Sequence, residues 1–169
     1  MIVADFRTKN NGFSEYYKMR LLDAIGSDKT VYVNLNDKYM DGSGMMNDIS
    51  RKGEGATLPL INGDAIVTIS GKSHIIYDSE GNLINDMPEF ILAHEFVGHA
   101  IPIVAPERKD ENSIFLLPLK MGNAIENENK IREETGQPLR QIDIKHTDYG
   151  QDYLNFINEC IDLSEYLFH

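Results

Sequence analysis

The spacing of two histidines in the segment HEFVGH constrains this 169-residue chain more than any other feature. His94 and His99 lie five residues apart. In a regular α-helix each residue advances by ~100°, so four steps return a side chain to within ~40° of its starting direction, whereas five steps carry it to ~140°. The two imidazoles would diverge on a straight helix. They can face a common point only if one helical turn is widened.

A π-bulge provides such a turn, because it absorbs one extra residue, and π-bulges occur mostly at functional sites. Gly98 stands where the extra residue must be accommodated, since glycine has no Cβ to clash and tolerates unusual backbone angles. We therefore predict a helix that bulges at Val97–Gly98 and directs His94 and His99 to one metal ion. Zinc is the expected metal, because it binds neutral imidazole nitrogen at ~2.0–2.1 Å.

Glu95 follows the first histidine directly, as the general base does in the H-E-x-x-H helix of zinc proteases. In that chemistry the glutamate takes a proton from a water molecule that the metal activates. The sequence therefore makes Glu95 the candidate catalytic base. The alternative is an amphipathic helix that carries two unrelated histidines and a surface glutamate in a plain interaction domain.

A third metal ligand is expected downstream, because a catalytic zinc takes three protein ligands and keeps one position open. The segment over residues 123–135 predicts a helix, which ends at a glycine. Ala124, Glu128 and Ile131 share one face of this helix, whereas Glu126 lies on a charged face. Glu128 is therefore the expected third ligand, with Glu126 as the alternative.

Arg132 leaves a second role open for Glu128. It lies four residues further along the same helix, so the two side chains can form an ion pair. Glu128 can form this ion pair instead of binding the metal, or it can do both. If it does both, Arg132 holds the Glu128 carboxylate in position as a metal ligand.

A peptidase also needs a donor for the oxyanion that develops in the reaction. Three residues after the predicted helix are candidates: Arg140, His146 and Tyr149. Tyr149 and His146 are expected to be catalytic, although the sequence does not rank the three.

Composition limits the partners. The net charge is −11 and the 16 Lys and Arg residues are scattered, so the basic patch of a nucleic-acid binder is not present. No apolar run approaches the ~20 residues of a membrane span, and the first residues lack the apolar core of a signal peptide. We expect a chain without a membrane span, located in the cytoplasm or delivered within a larger protein.

The single cysteine, Cys160, is expected to pack as a small hydrophobic side chain.

The order of predicted elements indicates a single α+β domain over residues 1–169. Asp86 and Glu89 resemble a capping box at the start of the HEFVGH helix, and Pro102 is its expected end. Residues 37–55 are expected to form a loop. Residues 1–100 are expected to hold a helix, strands and the HEFVGH helix, and residues 101–169 to be mostly helical. The further elements are a helix near 13–26, strands at 30–36, 64–70 and 72–78, and a helix near 152–168.

Two segments carry a resemblance to known families. HEFVGH resembles the H-E-x-x-G-H zinc motif of the dipeptidyl peptidase III family. AHEFVGHA (93–100) together with ENKIREETGQPLR (128–140) is similar to small bacterial metallopeptidase domains of the effector and Rhs-associated toxin type. The resemblance implies a minimal zincin-like fold, a small mixed sheet with an active-site helix. It also implies His94, His99 and Glu128 as ligands and Glu95 as base.

The function that this resemblance implies is zinc-dependent hydrolysis of a peptide or protein substrate, by a monomeric domain of a larger toxin or effector polypeptide. A strand such as DAIVTIS (64–70) would run beside the cleft, where an extended peptide can add. Two alternatives stay open. One is a catalytically inactive zincin-like binding module, and the other is a zinc amidohydrolase that cuts a non-peptide amide.

Overall fold

A three-stranded mixed sheet lies behind the HEFVGH helix. The computed structural model describes residues 14–105 and 124–142. In it β1 (Val31–Leu35) runs parallel to β5 (Ala65–Ile69), and β4 (Gly55–Pro59) runs antiparallel to the other side of β5. β-Branched residues make up four of the five positions of β5 and two of the five in β1, as is typical of strands. Ala65 and Val67 are fully buried, and as i and i+2 residues they share one face of the sheet.

The central position of β5 corrects one expectation. An extended peptide cannot add to the DAIVTIS strand, because β1 and β4 already pair with both of its edges. Among the described strands, β4 is the edge strand on the side of the HEFVGH helix, and Thr57 in β4 contacts that helix. The strand beside the site is therefore β4, whose five residues carry no alternating pattern that predicts a strand.

Two hairpins complete the described strands. β2 (Lys38–Met40) pairs with β3 (Met46–Asp48), and β6 (His74–Tyr77) pairs with β7 (Leu83–Asp86), both antiparallel. The expectation of a loop over 37–55 is wrong, since this segment holds the first hairpin and a 3₁₀ helix, Ile49–Lys52.

A side chain closes the turn of the first hairpin. The Asp41 carboxylate accepts hydrogen bonds from the backbone N–H groups of Ser43 and Met45, both at 3.0 Å. Such local contacts favour turns in aspartate-rich segments. They leave no periodic pattern in the sequence, which is why the hairpin was missed.

The first and last described helices begin or end where expected. α1 (Glu15–Ile25) is capped by Ser14, whose hydroxyl accepts a hydrogen bond from the Tyr17 backbone N–H at 3.0 Å. α4 (Ala124–Thr135) is followed by Gly136, which has a φ of 71°. A positive φ of this kind is the usual reason for a glycine after a helix.

The HEFVGH helix has three parts. α2 (Pro88–Ala93) leads into a π-helix (His94–Ala100), and α3 (Ile101–Val104) follows without a break. The expectation that Pro102 ends the helix is wrong. Pro102 lies two residues after the π-helix, and the helix continues through it to Val104.

The start of α2 also differs from the prediction. Met87 is the N-cap and makes no side-chain capping bond, so the capping box is wrong. Asp86 is buried instead, and its carboxylate pairs with Arg132 of α4.

The HEFVGH helix is buried on two faces. One face packs on α1 and α4, and the other packs on the sheet, in two clusters of buried apolar side chains. The first cluster contains Tyr17, Phe90, Ala93, Val97, Ile101 and Ile131. The second contains Ala65, Val67, Leu92, Ala100 and Val104. The predicted α+β class is confirmed, and the helix that carries the two histidines forms its centre.

Some expectations lie outside the described residues. These are the helix near 152–168, Cys160, His146 and Tyr149. Over residues 14–105 and 124–142, no helix combines the length and the apolarity needed to cross a bilayer.

Gly98 allows α4 to approach the π-helix. A Cβ added at Gly98 would lie 2.5 Å from the Cβ of Ala124 and 3.0 Å from its Cα. The φ of Gly98 is not positive, so the residue is needed for the close contact rather than for an unusual backbone angle.

We predict that Gly98→Ala destabilises the fold by about 1–3 kcal/mol, the usual cost of overpacking. Alanine favours an exposed helix by about 1 kcal/mol over glycine, so a net loss would show that the Ala124 contact dominates. Urea unfolding measures the change. Gly26→Ala is the control, because an added Cβ there meets no atom closer than 3.4 Å; an unchanged or higher stability of Gly98→Ala would contradict the packing role.

Candidate metal centre

The π-helix brings the two histidines together. The ring centroids of His94 and His99 lie 5.0 Å apart, and the ring planes cross at 82°. The prediction that a widened turn absorbs the extra residue is confirmed, because the π-helix spans His94–Ala100. Rings that would point apart on a regular helix are thus neighbours here.

Glu95 joins the two histidines in one cluster. One ligand atom from each of His94, Glu95 and His99 lies within 4.8 Å of the others. Imidazole nitrogen and carboxylate oxygen are the ligand types that zinc takes in catalytic sites. His94 and Glu95 are buried, and His99 is half-buried. The chemistry and the convergence of these donors therefore fit a divalent metal ion.

The edge strand β4 holds Glu95. Thr57 donates a hydrogen bond from its hydroxyl to Glu95 Oε2 at 2.6 Å. Gly55 leaves room for the same side chain, since an added Cβ would lie 2.8 Å from Glu95 Oε1. Burial raises the pKa of Glu95 above its ordinary value, and this outweighs the lowering effects of His94 and Thr57. The carboxylate therefore has an increased affinity for a proton and a fixed position.

Glu128 lies behind His94 and is fully buried. Its carboxylate contacts His94 Nδ1 at 3.0 Å and accepts hydrogen bonds from Arg132 Nε and from Arg140 Nη1, the latter at 3.1 Å. Burial alone would raise the pKa of Glu128. The hydrogen bond and charge of His94, together with Arg132 and Arg140, outweigh burial and lower the pKa to about 2.

This contact defines the tautomer of His94. An ionised carboxylate can only accept hydrogen bonds, so His94 donates to Glu128 through its Nδ1–H. When the ring is neutral, its lone pair then lies on Nε2, the nitrogen that would bind a metal. Carboxylates in this position orient metal-binding histidines and make them more basic.

Glu128 was expected to be the third ligand. The inward face that the sequence assigned to it is confirmed, since Ala124, Glu128 and Ile131 are all fully buried while Glu126 is exposed. Its carboxylate, however, supports His94 and is not a member of the cluster of three converging ligand atoms. Its role as a direct ligand stays a prediction.

Arg132 links two buried acids. It pairs with Glu128 and with Asp86, and each of the three side chains is almost inaccessible to solvent. The predicted ion pair between Arg132 and Glu128 is thus confirmed. Burial, followed by the charge of Glu128, raises the pKa of Asp86, and Arg132 opposes this shift. Arg132 therefore compensates two carboxylates.

A cavity of about 340 Å³ opens beside the cluster. Its polar lining comes from separate elements and includes Arg51, Lys52, His74, His94, Glu95 and Arg140. Arg140 was a candidate oxyanion donor, and the structure places it in this wall. Sequence patterns did not identify four residues around the site, because they lie 21 to 44 residues before Glu95 on other elements and match no motif. These residues are Arg51, Lys52, Thr57 and His74.

Comparisons with models of known protein families, with curated protein sequences and with solved structures found no significant match for this chain.

We predict that Arg132→Met lowers the free energy of unfolding by about 3–5 kcal/mol, because it leaves two buried carboxylates without their shared cation. Methionine keeps an apolar side chain against the Phe90 ring, which lies 4.5 Å from Arg132 Cζ. Chemical denaturation measures the loss.

The double variant Asp86→Asn with Arg132→Met separates charge from packing. It is expected to recover some of the loss, because only one buried carboxylate then lacks its arginine. A loss below about 1 kcal/mol in Arg132→Met, the range of a surface ion pair, would contradict the linking role.

Proposed function

We propose that this chain is a zinc-dependent metallopeptidase. The observation that carries the proposal is the convergence of His94, Glu95 and His99, whose ligand atoms lie within 4.8 Å of one another on a π-helical turn. A second observation supports it. The cavity of about 340 Å³ is lined by His94 and Glu95, so a substrate group can reach them.

His94, through Nε2, and His99 would supply two of the three protein ligands that a catalytic zinc takes. Glu128 supports the site from behind, since it fixes the orientation and tautomer of His94. Zinc, when bound, polarises a carbonyl oxygen and makes water more acidic.

The residues of the chain perform the proton transfers. Glu95 takes a proton from the attacking water and then passes it to the leaving amine nitrogen. Thr57 holds one carboxylate oxygen of Glu95 in place at 2.6 Å during both steps. Arg140, in the cavity wall, is the described candidate for stabilising the oxyanion. Stabilisation of the oxyanion by His146 or Tyr149 stays a prediction.

We predict that Glu95→Gln retains zinc but slows peptide cleavage by about 10²–10⁴-fold, the contribution of a general base. Glu89→Gln, the same change at an exposed position of α2, is the matched control and should cleave normally. Quenched-fluorescent peptides measure turnover, and plasma emission spectrometry measures zinc. The substrates tested also include cell-wall amides. Cleavage of these amides in place of peptides would indicate an amidohydrolase rather than a peptidase. Retained turnover in Glu95→Gln would remove Glu95 from the mechanism.

We predict that Glu128→Gln weakens zinc binding by about 10–100-fold, as expected when a supporting residue is lost, and still binds one zinc at saturation. His99→Ala is expected to bind no zinc at the same concentration. His74→Ala, a cavity residue outside the cluster, is the control and should bind zinc normally. Competition with a chromogenic chelator measures the affinities. Loss of all zinc in Glu128→Gln would make Glu128 a direct ligand.

A further inference from the structure

We infer that the cavity beside His94 and Glu95 receives a carboxylate group of the substrate, and that Arg51 and Lys52 recognise it. The inference rests on the proposed function, because it takes the substrate to be a peptide. The carboxylate can belong to an acidic side chain or to a free C-terminus. Arg51 and Lys52 are specificity-determining residues in this account and take no part in the chemistry.

The two cations lie on a fixed element. They form the last turn of the 3₁₀ helix Ile49–Lys52. Ile49 anchors this helix in the core with 1% exposure, and Asp48 caps it by accepting the Ser50 backbone N–H at 3.0 Å. Gly53 then turns the chain into β4 with a φ of 75°. Both cationic side chains are thereby held at the wall of the cavity.

Four ionic groups in the cavity wall and behind it form one balanced network. Two carboxylates, Asp86 and Glu128, face two guanidinium groups, Arg132 and Arg140, within hydrogen-bonding distance. Their formal charges sum to zero. This buried network therefore presents no net charge to a substrate in the cavity.

Arg51 and Lys52 add two positive charges to the cavity lining, and Glu95, the carboxylate of the lining outside this network, offsets only one of them. Neither forms an ion pair with any residue in 14–105 or 124–142. The charge of Arg51 favours the ionised form of the Asp48 carboxylate, and the charge of Lys52 favours the ionised form of the Glu95 carboxylate. The chain as a whole carries a charge of −11, so two adjacent cations at this wall are a local exception rather than part of a basic surface.

A carboxylate is the ligand that this pair fits best. Arginine presents a planar fork that binds a carboxylate with two parallel hydrogen bonds. Both side chains are exposed, so they lose little hydration when an anionic group approaches. Discrimination should be modest and sensitive to salt, as for other solvent-exposed charge pairs.

Binding to an inactive variant tests the inference without turnover. Zinc-loaded Glu95→Gln is titrated with fluorescein-labelled peptides that carry Glu or Gln at each position in turn, with free or amidated C-termini. We expect the peptide with the carboxylate to bind about fivefold more tightly than its neutral partner, the factor of an exposed ion pair. The Glu/Gln pairs and the free/amidated pairs show which source supplies the carboxylate.

Adding Arg51→Gln and Lys52→Gln should reduce this preference to less than about twofold, because the exposed ion pairs are lost, and should leave binding of the neutral peptide unchanged. Lys18→Gln, an exposed lysine of α1, is the matched control and should keep the preference. Equal binding of charged and neutral peptides, or a preference that survives the double substitution, would overturn the inference.

Cleavage by the native protein separates the two proposals. Equal cleavage of charged and neutral peptides would overturn the carboxylate site and leave the peptidase intact. Preferential binding of carboxylate peptides without cleavage of any peptide would support the carboxylate site and contradict the peptidase.

Discussion

The widened turn at His94–Ala100 is the constraint on which the rest of the site depends. A π-turn is rare in isolation, and here packing on both sides stabilises it. Val97 and Ile101 are fully buried toward the helices, and Ala100 is fully buried toward the sheet. Gly98 lets α4 approach to a distance that any side chain would prevent. The core therefore enforces a backbone geometry that local propensity does not favour, and the convergence of the two imidazoles results from it.

The buried ionic network behind the helix gives the site its second property, a defined orientation of His94. Glu128 is held by two arginines and contacts His94 Nδ1 at 3.0 Å. Because the network pairs two carboxylates with two guanidinium groups, of which Arg140 is partly exposed, it avoids the cost of an uncompensated buried charge. Arg132 also ties α4 to Asp86 at the end of β7. Through Glu128, Arg132 therefore links the position of α4 to the tautomer of His94.

The sequence allowed some of this arrangement to be predicted, because helical periodicity is local. The five-residue spacing of His94 and His99 demanded a widened turn, and the inward face of Glu128 followed from its spacing to Ala124 and Ile131. Gly98 was recognised for a partly wrong reason, since its contact with Ala124 joins two segments that are distant in sequence.

Contacts between distant segments explain most of what was missed. Thr57 reaches Glu95 from β4, and Arg51, Lys52 and His74 reach the cavity from other elements. No periodic pattern marks these residues. The pairing of Asp86 with Arg132 likewise replaced a plausible local capping box, because a buried cation attracts a nearby carboxylate more strongly than a helix end does.

Zinc K-edge X-ray absorption of the metal-loaded protein tests the central claim most directly, because it counts imidazole ligands at the metal. The account predicts one zinc per chain with two imidazole nitrogens at about 2.0–2.1 Å. A spectrum with a single imidazole, or with oxygen neighbours alone, would show that the widened turn does not place both histidines on one ion, and would contradict the account.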